Sequence, residues 1–186
     1  MADVTDRRQQ RTRAALQGAF RELMFDRGYE ALTIGAVTAA ANIGRSTFYE
    51  HYRTKEDLLR ASVHAPFLTL ADLVLPVPPE DALVGLLQHF RQNQQLARVL
   101  LGWPTRPVLA AALADLVEAR LAAMPQLRPL IPAAIVARQI ADMQLALIES
   151  WIAGRPAMAL PAATSALARA TGALVTALCQ PPGLHS

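Results

Sequence analysis

The 186-residue chain contains one cysteine, one lysine, two Trp, three Tyr and five Phe, and its first proline is Pro66. A single cysteine excludes an internal disulfide framework and fits a reducing cytoplasm, which is the expected location. CxxC, HExxH and a His cluster at ligand spacing are all missing, so no metal site is expected. GxGxxG and the P-loop pattern are missing too, and no cofactor is expected. No uninterrupted apolar run approaches the roughly 18 residues that span a bilayer, and nothing at the N-terminus resembles a signal peptide. No membrane partner is expected. A nucleophile–base pair or paired carboxylates cannot be assembled from the sequence, so the chain does not read as an enzyme.

Much of what remains is alanine and arginine. Apolar residues make up 53% of the chain, but 36 of the 186 are Ala. The net charge is +3 and the pI about 9.6, with arginine supplying 17 of the 18 basic side chains. So small a charge does not establish a nucleic-acid partner; where the charge sits matters more.

Ala, Leu, Gln, Arg and Glu dominate both halves, β-branched runs are missing, and the apolar spacing is helical. The chain therefore reads as all-α, with about nine helices. The first is expected over about 5–27, with Leu16, Phe20, Leu23 and Met24 on one face and Gly28 stopping it. Thr33 caps a short second helix whose Ile34, Val37 and Ala41 point inward. Asn42, tolerant of a left-handed turn, separates it from a third over about 45–52. A fourth runs from Lys55 to about His64. Later prolines punctuate the rest, at Pro76–Pro79, Pro104–Pro107, Pro125–Pro132 and Gly154–Pro161. Between them helices are expected at about 79–93, 94–101, 106–124, 133–153 and 162–179. There is no internal repeat.

Residues 33–52 form a helix, a short turn and a helix. Phe48 and Tyr52 are four apart, share a face, and can pack on Leu32, Ile34 and Val37. Ser46 and Glu50 then point the other way, flanked by Arg45, Thr47 and Tyr49. A helix with one face on a small core and donors and acceptors on the other suits the DNA major groove, where each base pair shows a distinct polar pattern. Thr33, Lys55 and the cluster Arg7, Arg8, Arg11 and Arg13 are the side chains expected against phosphates. On this reading alone, His51 is equally an ordinary surface residue.

The segment LTIGAVTAAANIGRSTFYEHYRTKEDLL resembles the DNA-binding segment of TetR-family transcriptional regulators. The likeness covers about residues 5–62. It is carried by Thr33, the triplet Thr47-Phe48-Tyr49, and Lys55-Glu56-Asp57-Leu58-Leu59, in order and at the family's spacing. The resemblance implies a helix-turn-helix DNA-binding domain over 1–62 and an effector-binding and dimerisation domain over 63–186. It implies Arg45, Ser46, Thr47 and Glu50 at bases or nearby phosphates, and Thr33, Tyr49, His51 and Lys55 at the backbone. Three residues depart from the family pattern: Asn42 for the usual turn glycine, Gly44 for a serine cap, and Gly35 for a polar or charged residue.

The second half carries less signal. Leu83, Leu86, Leu87 and Phe90 form a core stripe, bordered by His89 and Asn93. Ile140, Met143, Leu147 and Trp151 form an apolar arc enclosing Gln144. That amide needs a partner, which is a ligand, a water or another helix. Arg120 lies in the arc of Leu109, Leu113 and Leu116; it either snorkels at a helix end or pairs with an acidic effector. Trp103, before Pro104, either lines a cavity or plugs a core gap. His89, Phe90, Trp103, Arg120, Met143, Gln144 and Leu147 are the candidate ligand-pocket residues. Cys179 reads as a small apolar residue near a helix end.

The resemblance further implies that the last two long helices pair across a twofold axis. Ala166, Ala170, Gly172, Ala173 and Ala177 permit close approach there, and Leu167, Leu174, Val175 and Leu178 supply apolar area. The whole reads as a homodimeric repressor of double-stranded operator DNA, released by a small, hydrophobic effector. The rival is a helical small-molecule binding protein or enzyme that keeps the fold without DNA control.

Overall fold

The computed structural model describes residues 4–154 and 157–180. It is all-α, as the apolar spacing requires, apart from one two-residue strand pair. The helices are α1 (Val4–Arg27), α2 (Ile34–Ala40), α3 (Arg45–His51), α4 (Lys55–Ala71), α5 (Glu80–Gln92), α6 (Gln94–Leu101), α7 (Arg106–Ala122), α8 (Ala133–Ala153) and α9 (Leu160–Leu178). A single 3₁₀ turn, Asp72–Val74, follows α4. Strands β1 (Arg128–Pro129) and β2 (Cys179–Gln180) pair antiparallel, tying the end of α9 to the α7–α8 connection. No described helix is long and apolar enough to cross a membrane.

Local chemistry sets most boundaries. Gly28 and Gly154 take left-handed backbone at φ 74° and 70°, ending α1 and α8. Asn42 does the same at φ 54° in the turn after α2. At the start of α4, the Thr54 hydroxyl accepts from Asp57 N–H while Asp57 accepts from Thr54 N–H, each at 3.0 Å. This reciprocal cap satisfies two amides that the first turn leaves free.

The fourth helix corrects the expected end near His64: it runs on to Ala71, straight through Pro66. Proline removes one N–H and costs a helix interior about 3 kcal/mol. Here Phe67, Leu70 and Ala71 are all buried beyond the expected end. Two large side chains at about 1.5–3 kcal/mol each already offset that cost. As a result α4 passes continuously through residues 62 and 63. The ninth helix begins two residues earlier than expected, with Pro161 in its first turn. Pro156, in the cluster before it, lies outside the described residues.

The core is continuous from head to body. Leu16, Phe20, Met24, Leu32, Val37 and Phe48 close around α1–α3, and Leu58 and Leu59 carry the cluster into α4. In the body α7 packs on α8, and Leu109, Leu113 and Val117 of the one and Val136, Ile140 and Ile148 of the other are buried. Leu167 is fully buried within this chain, so it does not contribute to an outward face of α9 as expected. Ala173 and Ala177 are exposed.

Candidate nucleic-acid interface

The short helix α3 is built on its own buried side. Phe48 is completely buried and Tyr52 nearly so, their ring centroids 5.7 Å apart. Gln17 of α1 donates to the Tyr52 hydroxyl at 3.2 Å, fixing α3 to the long first helix. Across the turn, Ile43 N–H donates to the Thr38 carbonyl at 2.9 Å, setting the approach of α2 and α3. The opposite side of α3 presents Arg45, Ser46, Tyr49 and Glu50 to solvent. Thr47 and His51 are half-buried at its flanks. Tyr49 stands 56% exposed while its ring meets Phe48 edge-on, centroids 5.4 Å apart and planes at 89°. An aromatic ring so exposed beside a buried anchor is held rigidly, with its hydroxyl free for a partner.

Thr33 precedes α2 and its hydroxyl oxygen accepts from Ala36 N–H at 3.1 Å. Its hydrogen stays available to a phosphate. Gly44 precedes α3 with no side-chain cap, as its missing side chain requires. Arg7, Arg8, Arg11 and Arg13 are exposed along α1, and none pairs with a carboxylate among the described residues.

Lys55, expected against a phosphate, also makes contacts within the protein. Its ammonium donates to the carbonyls of Tyr29 at 2.8 Å and Leu32 at 3.0 Å, and sits 4.1 Å from the Tyr29 ring centroid. Two of its three N–H donors are thus spent inside the protein, where they lock α4 to the α1–α2 connection. The Tyr29 hydroxyl donates to Glu56 at 3.1 Å. Burial, then that bond and the charge of Glu56, raises the Tyr29 hydroxyl well above the ordinary phenol range.

The structure separates the seven candidate pocket residues. An apolar cavity of about 370 Å³ lies between α1, α4, α5, α6 and α7, and of the seven only His89 and Phe90 line it. Val63, Pro66, Phe67 and Leu100 supply other parts of its wall. They belong to two distant helices and carried no signal in sequence beyond ordinary core spacing. Trp103 is 82% exposed and plugs no core gap; it lines a separate pocket of about 250 Å³ with Arg27, Tyr29 and Arg98. Arg120 pairs with Asp72 at 2.5 Å and is thereby committed within the fold. Met143 and Leu147 are half-buried on α8, away from the cavity.

Gln144 is fully buried and donates to the Leu70 carbonyl at 3.1 Å and to the Thr171 hydroxyl at 3.0 Å, joining α8 to α4 and α9. Of the partners left open in sequence it has other helices, although its Oε1 has none. Burial raises the Cys179 thiol above its ordinary value, suppressing the thiolate that a nucleophile needs.

The N-terminal geometry has counterparts in known proteins. Residues 18–62 match the family model described as "Bacterial regulatory proteins, tetR family". An uncharacterized HTH-type transcriptional regulator of Bacillus subtilis, YxbF, is 41% identical over 68 residues, which is 36% of this chain and 18% of that protein. The match therefore spans less than a fifth of that relative's length. A TetR transcriptional regulator of Streptococcus agalactiae is similar in structure with a TM-score of 0.56 and 28% identity, over 90% of this chain and 97% of the other. A TetR-family regulator of Streptomyces coelicolor shares the fold with a TM-score of 0.65 at 18% identity, over 90% and 96% of the two chains.

Proposed function

We propose that the chain, whose residues 18–62 match the TetR-family model and whose fold resembles that of a TetR regulator, is a homodimeric cytoplasmic repressor that binds a pseudo-palindromic operator and leaves it when a small hydrophobic effector binds. The observation that carries this reading is the two-sided third helix: Phe48 wholly buried on one side, Arg45, Ser46, Tyr49 and Glu50 exposed on the other. In a twofold dimer two such helices reach successive major grooves on one side of the duplex. Side chains along α1 and at Thr33 supply the sequence-independent part of the affinity. The exposed alanines of α9 support pairing through α8 and α9, and the cavity supports an effector.

A gel shift with the purified chain and DNA upstream of its own gene tests the reading. A discrete, salt-sensitive complex is expected. Failure to bind any such fragment at low salt would leave the rival, a ligand-binding protein or enzyme that keeps the fold without DNA control. Light scattering tests the dimer. The wild type is expected at twice the chain mass, and Ala173→Arg at the mass of one chain.

A further inference from the structure

The cavity has a chemical polarity that the proposed effector must match. Its depth is hydrocarbon: Val63 and Phe67 of α4, Leu86 and Phe90 of α5, Leu100 of α6 and Leu109 of α7. Its volume of about 370 Å³ falls in the range of roughly 300–1,000 Å³ that holds small organic molecules. Polar groups gather where it meets a second, more open cleft, because Arg21, His89 and Asn93 line both. Asn93 spends its side-chain N–H groups on His89, at 2.9 Å to the carbonyl and 3.3 Å to Nδ1. In the neutral imidazole, accepting at Nδ1 leaves the ring proton on Nε2, as a donor. Arg21 makes no ion pair or hydrogen bond among the described residues, so its five N–H donors are free.

Donors at the mouth and hydrocarbon at the depth define a ligand with an acceptor head and an apolar tail. Arginine's fork binds the oxygens of a carboxylate or a phosphate through two parallel N–H groups. Glu22 and Asp26 line the outer cleft beyond Arg21, and they set a limit on the ligand's charge by repelling a second negative group. We propose that the effector is an amphipathic monocarboxylate, an acyl or aryl-alkyl acid, whose head is held by Arg21 and His89 while its tail fills the cavity.

This deepens the repressor reading and rests on it in one respect, the consequence for DNA. Arg21 belongs to α1, the helix on which the DNA-reading unit is built. His89 and Leu100 belong to the body. A molecule held between them binds most tightly at one spacing of α1 against α5 and α6, and α1 packs directly on α6. Its preference for that spacing is the only leverage it has over the reading helices.

The test uses the full chain and three probes with one tail and different heads: decanoate, decanol and decylammonium, each below its micelle concentration. Calorimetric titration without DNA is expected to show one decanoate per chain, bound at least tenfold tighter than decanol and more tightly still than decylammonium. Arg21 is exposed, so Arg21→Gln is expected to fold normally, to bind decanol as the wild type does, and to lose the preference for decanoate. Leu86→Trp fills the cavity and is expected to abolish binding of all three. Equal affinity for acid and alcohol, or a preference for the ammonium, would overturn the proposal. So would decanoate binding that survives Leu86→Trp unchanged. Release of DNA is measured separately. Selective decanoate binding without release leaves the site standing and refutes its link to the operator.

Discussion

Arg45 lies across the bare α-carbon of Gly35: a β-carbon built on that glycine would stand 2.6 Å from Nη2 and 3.6 Å from Cζ of the guanidinium. Gly35 is in the first turn of α2 and Arg45 in the first turn of α3, so the gap joins both halves of the reading unit. The family resemblance expects a polar or charged residue at Gly35, and its absence here has this physical consequence.

Gly35→Ala removes that gap while improving helix propensity by up to about 1 kcal/mol. The guanidinium tip is flexible and yields, so the thermal midpoint is expected to hold or rise. Operator discrimination at the position read by Arg45 is expected to relax by about 1–3 kcal/mol, the worth of a bidentate base contact. Arg45→Ala is expected to relax the same position, and the double variant to add nothing further. Independent, additive losses would show that Gly35 acts other than through Arg45.

Tyr49→Ala separates surface from core. Its ring is mostly exposed while Phe48 beneath it is buried. Operator affinity is expected to fall by about 1.5–3 kcal/mol per half-site, the range for a hydrogen bond to a charged group, with the melt barely moved. A matching loss of stability would place Tyr49 in the core instead.

For Lys55→Met the expectation reverses. Removing the ammonium strands the carbonyls of Tyr29 and Leu32 and ends the contact with the Tyr29 ring. Stability is expected to fall by about 1–3 kcal/mol in chemical denaturation without any DNA present. An unchanged denaturation midpoint, with weaker DNA binding, would return Lys55 to the phosphates.

Gln144→Met exchanges two donated hydrogen bonds for the removal of an orphaned, buried Oε1. These effects oppose one another at about 1–3 kcal/mol, so the net change in stability is expected within about 1 kcal/mol. Decanoate affinity is expected to stay as in the wild type, since the amide does not reach the cavity wall. A tenfold loss of that affinity would make Gln144 an effector contact.

The elements themselves were readable because their causes are local. Helical spacing, the glycine at 28, the threonine cap at 33 and the left-handed Asn42 act within a few residues of where they stand. That locality made the helix-turn-helix and the split of α3 into a Phe48 side and an Arg45–Ser46–Glu50 side legible. It also misled at Pro66, where a local rule against proline lost to burial of Phe67 and Leu70 farther along.

By itself, then, the sequence determined an all-α chain with a helix-turn-helix near its start. The tertiary structure alone decided what each long polar side chain does. Lys55 turned inward because Tyr29, 26 residues away, folds beneath it. Arg120 found Asp72 and Gln144 found Leu70 across separations of 48 and 74 residues. The cavity is a gap among five helices, and a gap has no residue of its own to be read from. Charge and size are written at one position, but a partner exists only once the chain has brought two positions together.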